Sequence, residues 1–422
     1  MTNEMEYLMH LYACGAKGEI ASPPGKSVDW NRIVYLAENQ GITYTVAMAI
    51  KKSETDCPED VKNKMIAMLR GGAIKNIIKR EGILKLVNKM ESEGIDVIII
   101  KGFDVSRYYA NPECRVSSDT DLLINILDET KAVELLKKEG FSIKPRRRTD
   151  NHAVATHPGL GMVELHVKLL PDVFNLEIFD TLQLENKAIN DRVEINFYDL
   201  PYYGLCADDS IAFLTYHMMK HLMFSGISLR MIMDIALYFK SNIRNIDKEE
   251  YVKLLRKTHY YYTMQLIFGI SIKYYGFCEN DFPIKPLFDN EEISAIMTDL
   301  EEGGWQGFNE KDERFDFWNY YLQKRKLQSK EMKKSICCRL KDNVLFDLSI
   351  IFLPMKMLQE KYPILKRYPI MYLFCSFHRI IFKGTKQVQK GGLISKQFFM
   401  EESVLSEESK KRLAMFKKLE IM

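Results

Sequence analysis

The sequence lacks the features that are typical of secreted, membrane-spanning and zinc-finger proteins. Its eight cysteines are scattered without a C-x-x-C pair, a pattern that indicates neither a disulfide framework nor a zinc site. The N-terminal segment contains Glu4, Glu6 and His10 instead of a basic start followed by an apolar run, so no signal peptide is predicted. The longest mainly apolar stretches, Leu348–Leu353 and Ile370–Phe377, fall far short of the ~20 residues that a membrane span needs. We therefore expect a cytoplasmic protein with reduced thiols.

The net charge of +3 is too small to indicate a nucleic-acid partner, but the charge is unevenly distributed. Residues 331–422 contain 18 Lys and Arg against 9 Asp and Glu, whereas the rest of the chain is mildly acidic. A basic tail of this kind can contact an acidic partner, RNA or a membrane surface. A solvated helical face would explain the same charge without any partner, and the two interpretations stay open.

The length of 422 residues predicts two or three structural units, and the hydrophobic spacing divides the chain into four regions. These are an N-terminal helical region at 1–92, a core at 93–200, a helical domain that walls a cleft at 201–330, and a basic helical tail at 331–422. In the first region, a helix is predicted from Val61 to Leu86, with Gly71-Gly72 as a candidate break.

The core is predicted to alternate strands and helices. One helix is expected over Asp128–Glu139, because Gly140 stands where a glycine often ends a helix. Strands are expected at Gly94–Ile100, Asp119–Ile126, Phe141–Lys144, His152–His157 and Gly161–Leu169. This order indicates an α+β fold with a mixed sheet, flanked by N-terminal and C-terminal helical regions.

Asp119 and Asp121 begin an apolar strand and are two residues apart. Residues at this spacing face the same way, so both carboxylates should project from one face about 6.5–7 Å apart. Two carboxylates beside an apolar strand repel each other unless a cation bridges them. Magnesium prefers a few carboxylates and completes its shell with water and phosphate, and two such ions can activate a hydroxyl and stabilise leaving pyrophosphate. Because Asp is common at strand ends, the surrounding residues decide between a metal site and an ordinary strand start.

Two neighbouring segments favour the metal site. At Lys101-Gly102 a strand turns into a helix, where a glycine lets backbone N–H groups approach phosphate oxygens and Lys101 adds a positive charge. A plain strand-to-helix turn is the alternative. Downstream, alternation puts Val163, Leu165 and Val167 on the core face, and Glu164 and His166 on the opposite face. A third carboxylate there can complete a metal site or accept a proton.

These motifs resemble the nucleotidyltransferase core of the DNA polymerase beta superfamily. More closely, they are similar to an uncharacterised bacterial nucleotidyltransferase group of that superfamily. The matching segments are Ile100-Lys101-Gly102, the strand from Arg115 to Leu123, Glu164-Leu165-His166, and the helical pairs His217/His221 and Arg230/Asp234. The sequence departs from the superfamily at Phe103, which offers no hydroxyl to a triphosphate, and at Glu164, where Asp is more usual.

The resemblance implies a metal-dependent transfer of a nucleoside monophosphate from an NTP to an acceptor, with release of pyrophosphate. Mg²⁺ or Mn²⁺ would be the cofactor. The acceptor class stays open among a sugar phosphate, a small molecule, a peptide or protein, and an RNA end. The catalytic and metal-binding residues would be Asp119, Asp121 and Glu164. The nucleotide-binding residues would be Lys101, Gly102, Arg115, Ser117, Ser118 and His166. Either Glu164 or His166 can act as the base.

Several of these residues also have simpler interpretations. Arg115 can clamp phosphate or pair with Asp119 or Asp121, and the adjacent Ser117 and Ser118 can bind phosphate or cap the strand. His217 and His221 have zinc-like spacing, but no Glu follows His217 as in H-E-x-x-H, so packing or lining the site is favoured.

Two further groups have open roles. Arg230 and Asp234 are four residues apart, which makes a structural ion pair the default. His152 and His157 can join His166 in a metal cluster if the strand register allows it. For the whole protein, the alternatives to an enzyme of metabolism are an inactive interaction module and a toxin-like nucleotidyltransferase that modifies RNA or protein.

Overall fold

The computed structural model describes residues 1–144, 146, 151–169, 184–197, 199–224, 226–288 and 290–303, together with positions 362, 371, 414, 418 and 419. Most of this part forms one compact unit, Met1–Asn309 with Lys418–Ile421. The predicted basic tail at 331–422, apart from these few positions, and the end of the predicted helical domain lie outside the described residues.

Four helices make up the N-terminal region. They are α1 (Asn3–Lys17), α2 (Trp30–Asn39), α3 (Thr43–Lys52) and α4 (Glu59–Ser92). Gly71 and Gly72 do not divide α4, which runs unbroken through 34 residues. The helix contains Gly72 because the ring of Tyr44 lies against it, and a β-carbon there would be 2.0 Å from the Tyr44 Cζ. The glycine therefore serves close packing between α3 and α4 and does not break the helix.

The core contains a five-stranded mixed sheet in the order β1-β2-β5-β4-β3. The strands are β1 (Val97–Ile100), β2 (Asp119–Ile124), β3 (Ser142–Lys144), β4 (His152–His157) and β5 (Gly161–His166). Strands β2 and β5 run parallel, whereas the other neighbours are antiparallel. A short helix, α5 (Gly102–Val105), follows β1, and α6 (Glu129–Lys138) lies between β2 and β3. The α+β fold with a mixed sheet, predicted from the sequence, is confirmed.

A separate two-stranded sheet closes the core. It consists of β6 (Val193–Phe197) and β7 (Leu200–Gly204), preceded by α7 (Leu184–Asn190). The predicted end of the core at residue 200 falls within this hairpin, at the first residue of β7. The chain then continues in α8 (Ala207–Phe224), α9 (Leu229–Asn242), α10 (Lys248–Lys257), α11 (Tyr261–Tyr275) and α12 (Asn290–Gly303). Among the described helices, none combines the length and apolar character needed to cross a membrane.

The two faces of the five-stranded sheet pack against different helices. One face carries Val163, Leu165 and Val167 into a large core that also contains side chains of α4 and α6, as the alternation predicts. On the other face, Ile98, Ile100 and Leu123 pack with Phe213 and Tyr216 of α8. Since side chains alternate along a strand, Asp119 and Asp121 share this second face with Leu123. This is the face on which α8 packs.

Candidate active site

Three carboxylates meet on the face of the sheet that α8 covers. The parallel register of β2 and β5 puts Asp121 directly opposite Glu164. Asp119, Asp121 and Glu164 each offer an oxygen within 4.8 Å of the others, and Asp121 is only 3% exposed. The sequence predicts the shared face of Asp119 and Asp121, and the register adds Glu164 to it. An all-oxygen group of this size fits a divalent cation such as Mg²⁺ or Mn²⁺.

Asp121 is surrounded by positive and hydrogen-bonding groups. Its Oδ1 is 2.5 Å from the Lys101 Nζ and 2.9 Å from the His166 Nε2. Burial by itself raises the pKa of Asp121, but Lys101 and His166 outweigh burial and hold this pKa below its usual range. Burial also acts to raise the pKa of Glu164, yet the hydrogen bond with His166 leaves it lowered. Both carboxylates are therefore ionised at neutral pH, the state in which they bind cations.

Lys101 adopts a backbone conformation that side chains other than glycine rarely take. Its φ is 59° and its ψ is −133°, a combination that costs about 1–3 kcal/mol in a residue with a β-carbon. The corner predicted from Lys101-Gly102 is thus strained at the lysine. In this conformation the Lys101 ammonium reaches Asp121.

Arg115 is buried and pairs with a residue that neither sequence interpretation named. Its Nη2 is 2.6 Å from the Oδ2 of Asp234 in α9, and its Nε is 3.3 Å from the Oδ1. Tyr109 donates from its hydroxyl to the same carboxylate at 2.8 Å. Arg230, the expected helical partner of Asp234, instead donates from its Nη1 to the Val116 carbonyl at 2.7 Å. The buried pair therefore connects the loop before β2 to α9.

The guanidinium of Arg115 also covers Gly102. A β-carbon at position 102 would lie 2.2 Å from the Arg115 Nη1, so a glycine is required for this approach. The same Nη1 has no hydrogen-bond partner within the part of the chain that the structure describes. This atom is the one through which the predicted phosphate contact of Arg115 can be made.

The two serines before β2 hold Asp119. Ser117 donates from its hydroxyl to the Asp119 Oδ1 at 2.9 Å, and Ser118 reaches the same oxygen at 3.3 Å. Lys79, from α4, donates to the Ser117 carbonyl at 3.1 Å. These contacts orient the Asp119 carboxylate, and both strand capping and phosphate binding by the two serines stay predictions. Lys79 was not singled out from the sequence, because its helix lies about 40 positions earlier in the chain.

A cleft of about 730 Å³, counted out to solvent, lies beside the carboxylates. Its lining from the core is Lys101, Gly102, Arg115, Ser117, Ser118, Asp119 and Asp121, and from α8 and α9 it includes Leu214, His217, His221, Arg230, Met231, Asp234 and Ile235. The helices α8 and α9 thus supply one wall of the cleft.

His217 and His221 line this cleft as neutral rings. Their centroids are 4.6 Å apart, and burial lowers the pKa of both, that of His221 to about 3. Neither belongs to a group of three potential metal ligands among the described residues. Both histidines therefore line the cleft. The sequence favours this role because no Glu follows His217, as it would in H-E-x-x-H.

Lys220 is the functional candidate that sequence reasoning missed. It lies between the two histidines on α8, and burial lowers the pKa of its ammonium to about 8, with Lys101 acting in the same direction. The carboxylates of Glu164, Asp121 and Asp119 act to raise it. Lys220 is therefore a largely buried cation within electrostatic reach of the three carboxylates. The sequence does contain a signal for it, because Lys220 lies one turn after His217 on the same face of the predicted helix.

Comparison with known proteins identifies the family. The profile of a family described as "Uncharacterised nucleotidyltransferase" matches residues 26–271, more than half of the chain. The chain belongs to this nucleotidyltransferase family. It is also similar to a solved structure, an antigenic nucleotidyltransferase-like protein from Paracoccidioides brasiliensis, at 19% identity and a TM-score of 0.27. That similarity covers 38% of this chain and 75% of the other. No curated protein matches the chain.

The matched residues of the nucleotidyltransferase family include the whole site. They extend from α2 into α11 and contain the three carboxylates, the Lys101 corner and both helices of the cleft wall. The family resemblance inferred from the motifs between Ile100 and Asp234 is thus confirmed. The family is uncharacterised, so its substrate and acceptor are matters for proposal.

Proposed function

We propose that this protein is a metal-dependent nucleotidyltransferase that moves a nucleoside monophosphate from an NTP to an acceptor and releases pyrophosphate. The observation that carries the proposal is the group of Asp119, Asp121 and Glu164 beside a cleft walled by cationic side chains. Carboxylates within 4.8 Å of one another repel, and a divalent cation among them would relieve this repulsion beyond what the Lys101 ammonium on Asp121 provides. The group therefore suits Mg²⁺ or Mn²⁺.

The carboxylates would hold the metal. Asp119, oriented by Ser117 and Ser118, and Asp121 supply the ligands from β2, and Glu164 completes the set from β5. When bound, the ions neutralise phosphate charge and lower the pKa of an attacking hydroxyl. His166 donates toward both Asp121 and Glu164 and so fixes where their oxygens point. We assign metal binding to Glu164 and positioning to His166, with Glu164 also able to accept the acceptor's proton.

Cationic side chains would hold the triphosphate. Lys101 and Lys220 place two ammonium groups near the carboxylates, and Arg230 lines the cleft from α9. Arg115 adds its unpartnered Nη1 next to Gly102. Positive groups that are fixed before the substrate arrives stabilise the charge on a transferred phosphate without reorganisation. This arrangement favours an anionic donor such as an NTP.

The acceptor is proposed by class. A sugar phosphate, another small molecule, a peptide or protein side chain, or an RNA end can each offer the attacking hydroxyl. The basic tail at 331–422 lies outside the described residues, and its contact with an acidic surface stays a prediction. The proposed roles of the metal-binding and phosphate-binding residues are the same for each of these acceptors.

Thermal unfolding with each of ATP, GTP, CTP and UTP, with and without Mg²⁺, tests the nucleotide site. A ligand at 100 times its dissociation constant adds about 2.7 kcal/mol, enough to raise the unfolding midpoint by several degrees. We expect a Mg²⁺-dependent shift with one or more nucleotides, and none with Asp119→Asn/Asp121→Asn. Asp60→Asn, which alters an exposed carboxylate at the start of α4, is the matched control. The absence of a shift with every nucleotide would favour an inactive interaction module.

A further inference from the structure

The side of the cleft that α8 and α9 form differs in chemistry from the side that the core forms. The core contributes charged and hydroxyl-bearing side chains around the carboxylates. On the other side, α8 and α9 contribute an apolar and imidazole surface, here called the α8–α9 wall, which consists of Leu214, His217, His221, Met231 and Ile235. The three members from α8 are three and four residues apart, so they share one face of the helix.

The two charged cleft residues of α9 contact the loop before β2. Arg230 donates to a main-chain carbonyl of that loop, and Asp234 forms its ion pair with Arg115 there. Met231 and Ile235 each follow these residues by one position, about 100° further round the helix. They therefore form a separate row on α9, and this row is uncharged.

His217 is a polar group of this wall whose ring nitrogens are available to a ligand. Its ring lies 4.6 Å from that of His221 and 6.3 Å from that of Phe213, measured between centroids. Within the described part of the chain, however, His217 forms no hydrogen bond. Burial lowers the pKa of His217 well below its ordinary value, so the ring is neutral and has one N–H donor and one acceptor nitrogen. Both groups are left for a ligand or for water.

The chemistry of the α8–α9 wall fits a nucleobase. A nucleobase is a flat, uncharged ring system whose faces pack against other side chains and whose edge carries hydrogen-bond donors and acceptors. The neutral imidazole of His217 complements the edge, and the apolar row of Met231 and Ile235 complements a face. A phosphate group is instead attracted to the positive charges of Lys101 and Arg230. The cleft therefore has one part for phosphates and another for an uncharged ring.

We infer that the α8–α9 wall holds the base of the nucleotide, with His217 hydrogen-bonded to the edge of the base and with Met231 and Ile235 packed against its face. This inference rests on the proposed function, since it requires that the cleft takes a nucleotide. It adds that selectivity among the four bases is determined outside the core, at His217. Contacts to phosphate are the same for every NTP and carry no information about the base.

Calorimetric titration of the full-length protein with the four NTPs and with inorganic tripolyphosphate, all in Mg²⁺, tests the inference. Tripolyphosphate has the phosphates of the nucleotide without its base. We expect His217→Ala to weaken binding of the preferred NTP about tenfold, because a buried edge of the base loses its partner, and to leave tripolyphosphate binding unchanged. His217→Phe keeps a flat ring without nitrogens, so the affinities for ATP, GTP, CTP and UTP should converge.

His259→Ala is the matched control, because it removes an exposed imidazole that lies after α10 and outside the cleft. It should bind every ligand as wild type does. Unchanged affinity of His217→Ala for the preferred NTP would overturn the inference, and so would equal losses of NTP and tripolyphosphate binding, which would put His217 at the phosphates. In both cases binding of NTP by wild type would leave the proposed function standing. Wild type that binds neither ligand would overturn the proposed function itself.

A crosslinking measurement on wild type does not depend on the variants being folded. The protein is irradiated in Mg²⁺ with 8-azido-ATP, or with the base-azido form of whichever NTP binds best, and the labelled peptides are located by mass spectrometry. We expect the label in α8 or α9, since the azide is on the base. Label confined to other segments would overturn the inference.

Discussion

The guanidinium of Arg115 lies directly against the α-carbon of Gly102, so that a β-carbon there would be 2.2 Å from the Arg115 Nη1. Arg115 cannot easily move away, because it is 6% exposed and bonded twice to Asp234. From sequence, the glycine was expected to make room for phosphate. In the structure the guanidinium of Arg115 lies in that space, and Arg115 itself lines the cleft beside the carboxylates.

We expect Gly102→Ala to destabilise the protein and weaken nucleotide binding together. Forcing an extra carbon into this contact should cost about 1–3 kcal/mol, as overpacking of a buried site does. The matched control is Gly71→Ala, since no atom lies within 4 Å of a β-carbon at that position in α4. There, the loss of glycine in a helix interior should raise the free energy of unfolding by about 0.5–1 kcal/mol. Urea unfolding of both variants checks the pair, and equal effects would contradict the contact.

Two substitutions at Lys101 separate the effect of its charge from the effect of its backbone strain. Lys101→Ala and Lys101→Gly both remove the ammonium from Asp121, but only alanine keeps a β-carbon at a φ of 59°. We expect Lys101→Gly to be more stable than Lys101→Ala by about 1 kcal/mol or more, because glycine adopts this conformation freely. Both variants should gain more from added Mg²⁺ than wild type, since Asp121 has lost its counter-charge. Thermal midpoints with and without Mg²⁺ decide this, and an alanine variant as stable as glycine would refute the strain.

The lowered pKa of Lys220 predicts how the free energy of unfolding changes with pH. Burial lowers its pKa to about 8 from an ordinary 10.5, so the folded state releases a proton that the unfolded state still holds between these values. The stability of wild type should therefore gain a contribution as pH rises from 8 to 10.5, and Lys220→Met should lack it. At pH 7 the variant should be more stable, by up to about 3 kcal/mol, because no ammonium has to be buried.

The control for this prediction is Lys64→Met, which replaces an exposed lysine in α4. It should follow the pH profile of wild type. Chemical unfolding at pH 7, 8 and 10 measures all three proteins. A Lys220→Met variant that is less stable than wild type at pH 7 would show that the ammonium is favourably paired in the folded protein.

The local pattern of residues predicted the five strands of the mixed sheet and the helix α6, because each of these signals lies within a few positions. The alternation of Val163, Leu165 and Val167 fixed which face of β5 is buried and, by the same period, put Glu164 and His166 together. The continuity of α4 was not predictable in this way. In the sequence Gly72 is typical of a helix break. The structure shows that it instead makes room for the ring of Tyr44, which belongs to another helix.

The partners within the site could not be predicted, because they are far apart in the chain. Arg115 and Asp234 are 119 positions apart, so no local spacing predicts their ion pair. The spacing of four residues predicts the Arg230–Asp234 pair instead. The choice of His152 over His157 as the neighbour of Glu164 depended on the register of β4 against β5. Sequence reasoning named the chemical groups, and tertiary packing decided which of them meet.

Transfer of label from an NTP is the most direct test of nucleotidyl transfer. The protein is incubated with Mg²⁺ or Mn²⁺, the nucleotide chosen by thermal unfolding, and small-molecule, RNA and protein fractions of a cell extract. In parallel reactions the radioactive phosphate is placed at the α or the γ position. Nucleotidyl transfer leaves the α-phosphate on the acceptor and the γ-phosphate in pyrophosphate.

We expect an acceptor labelled from the α position alone, in reactions with wild type and Asp60→Asn but not with Asp119→Asn/Asp121→Asn. Labelling from the γ position would identify a phosphotransferase instead. If metal-dependent nucleotide binding were present but no fraction took up α label, the claim of nucleotidyl transfer would be contradicted.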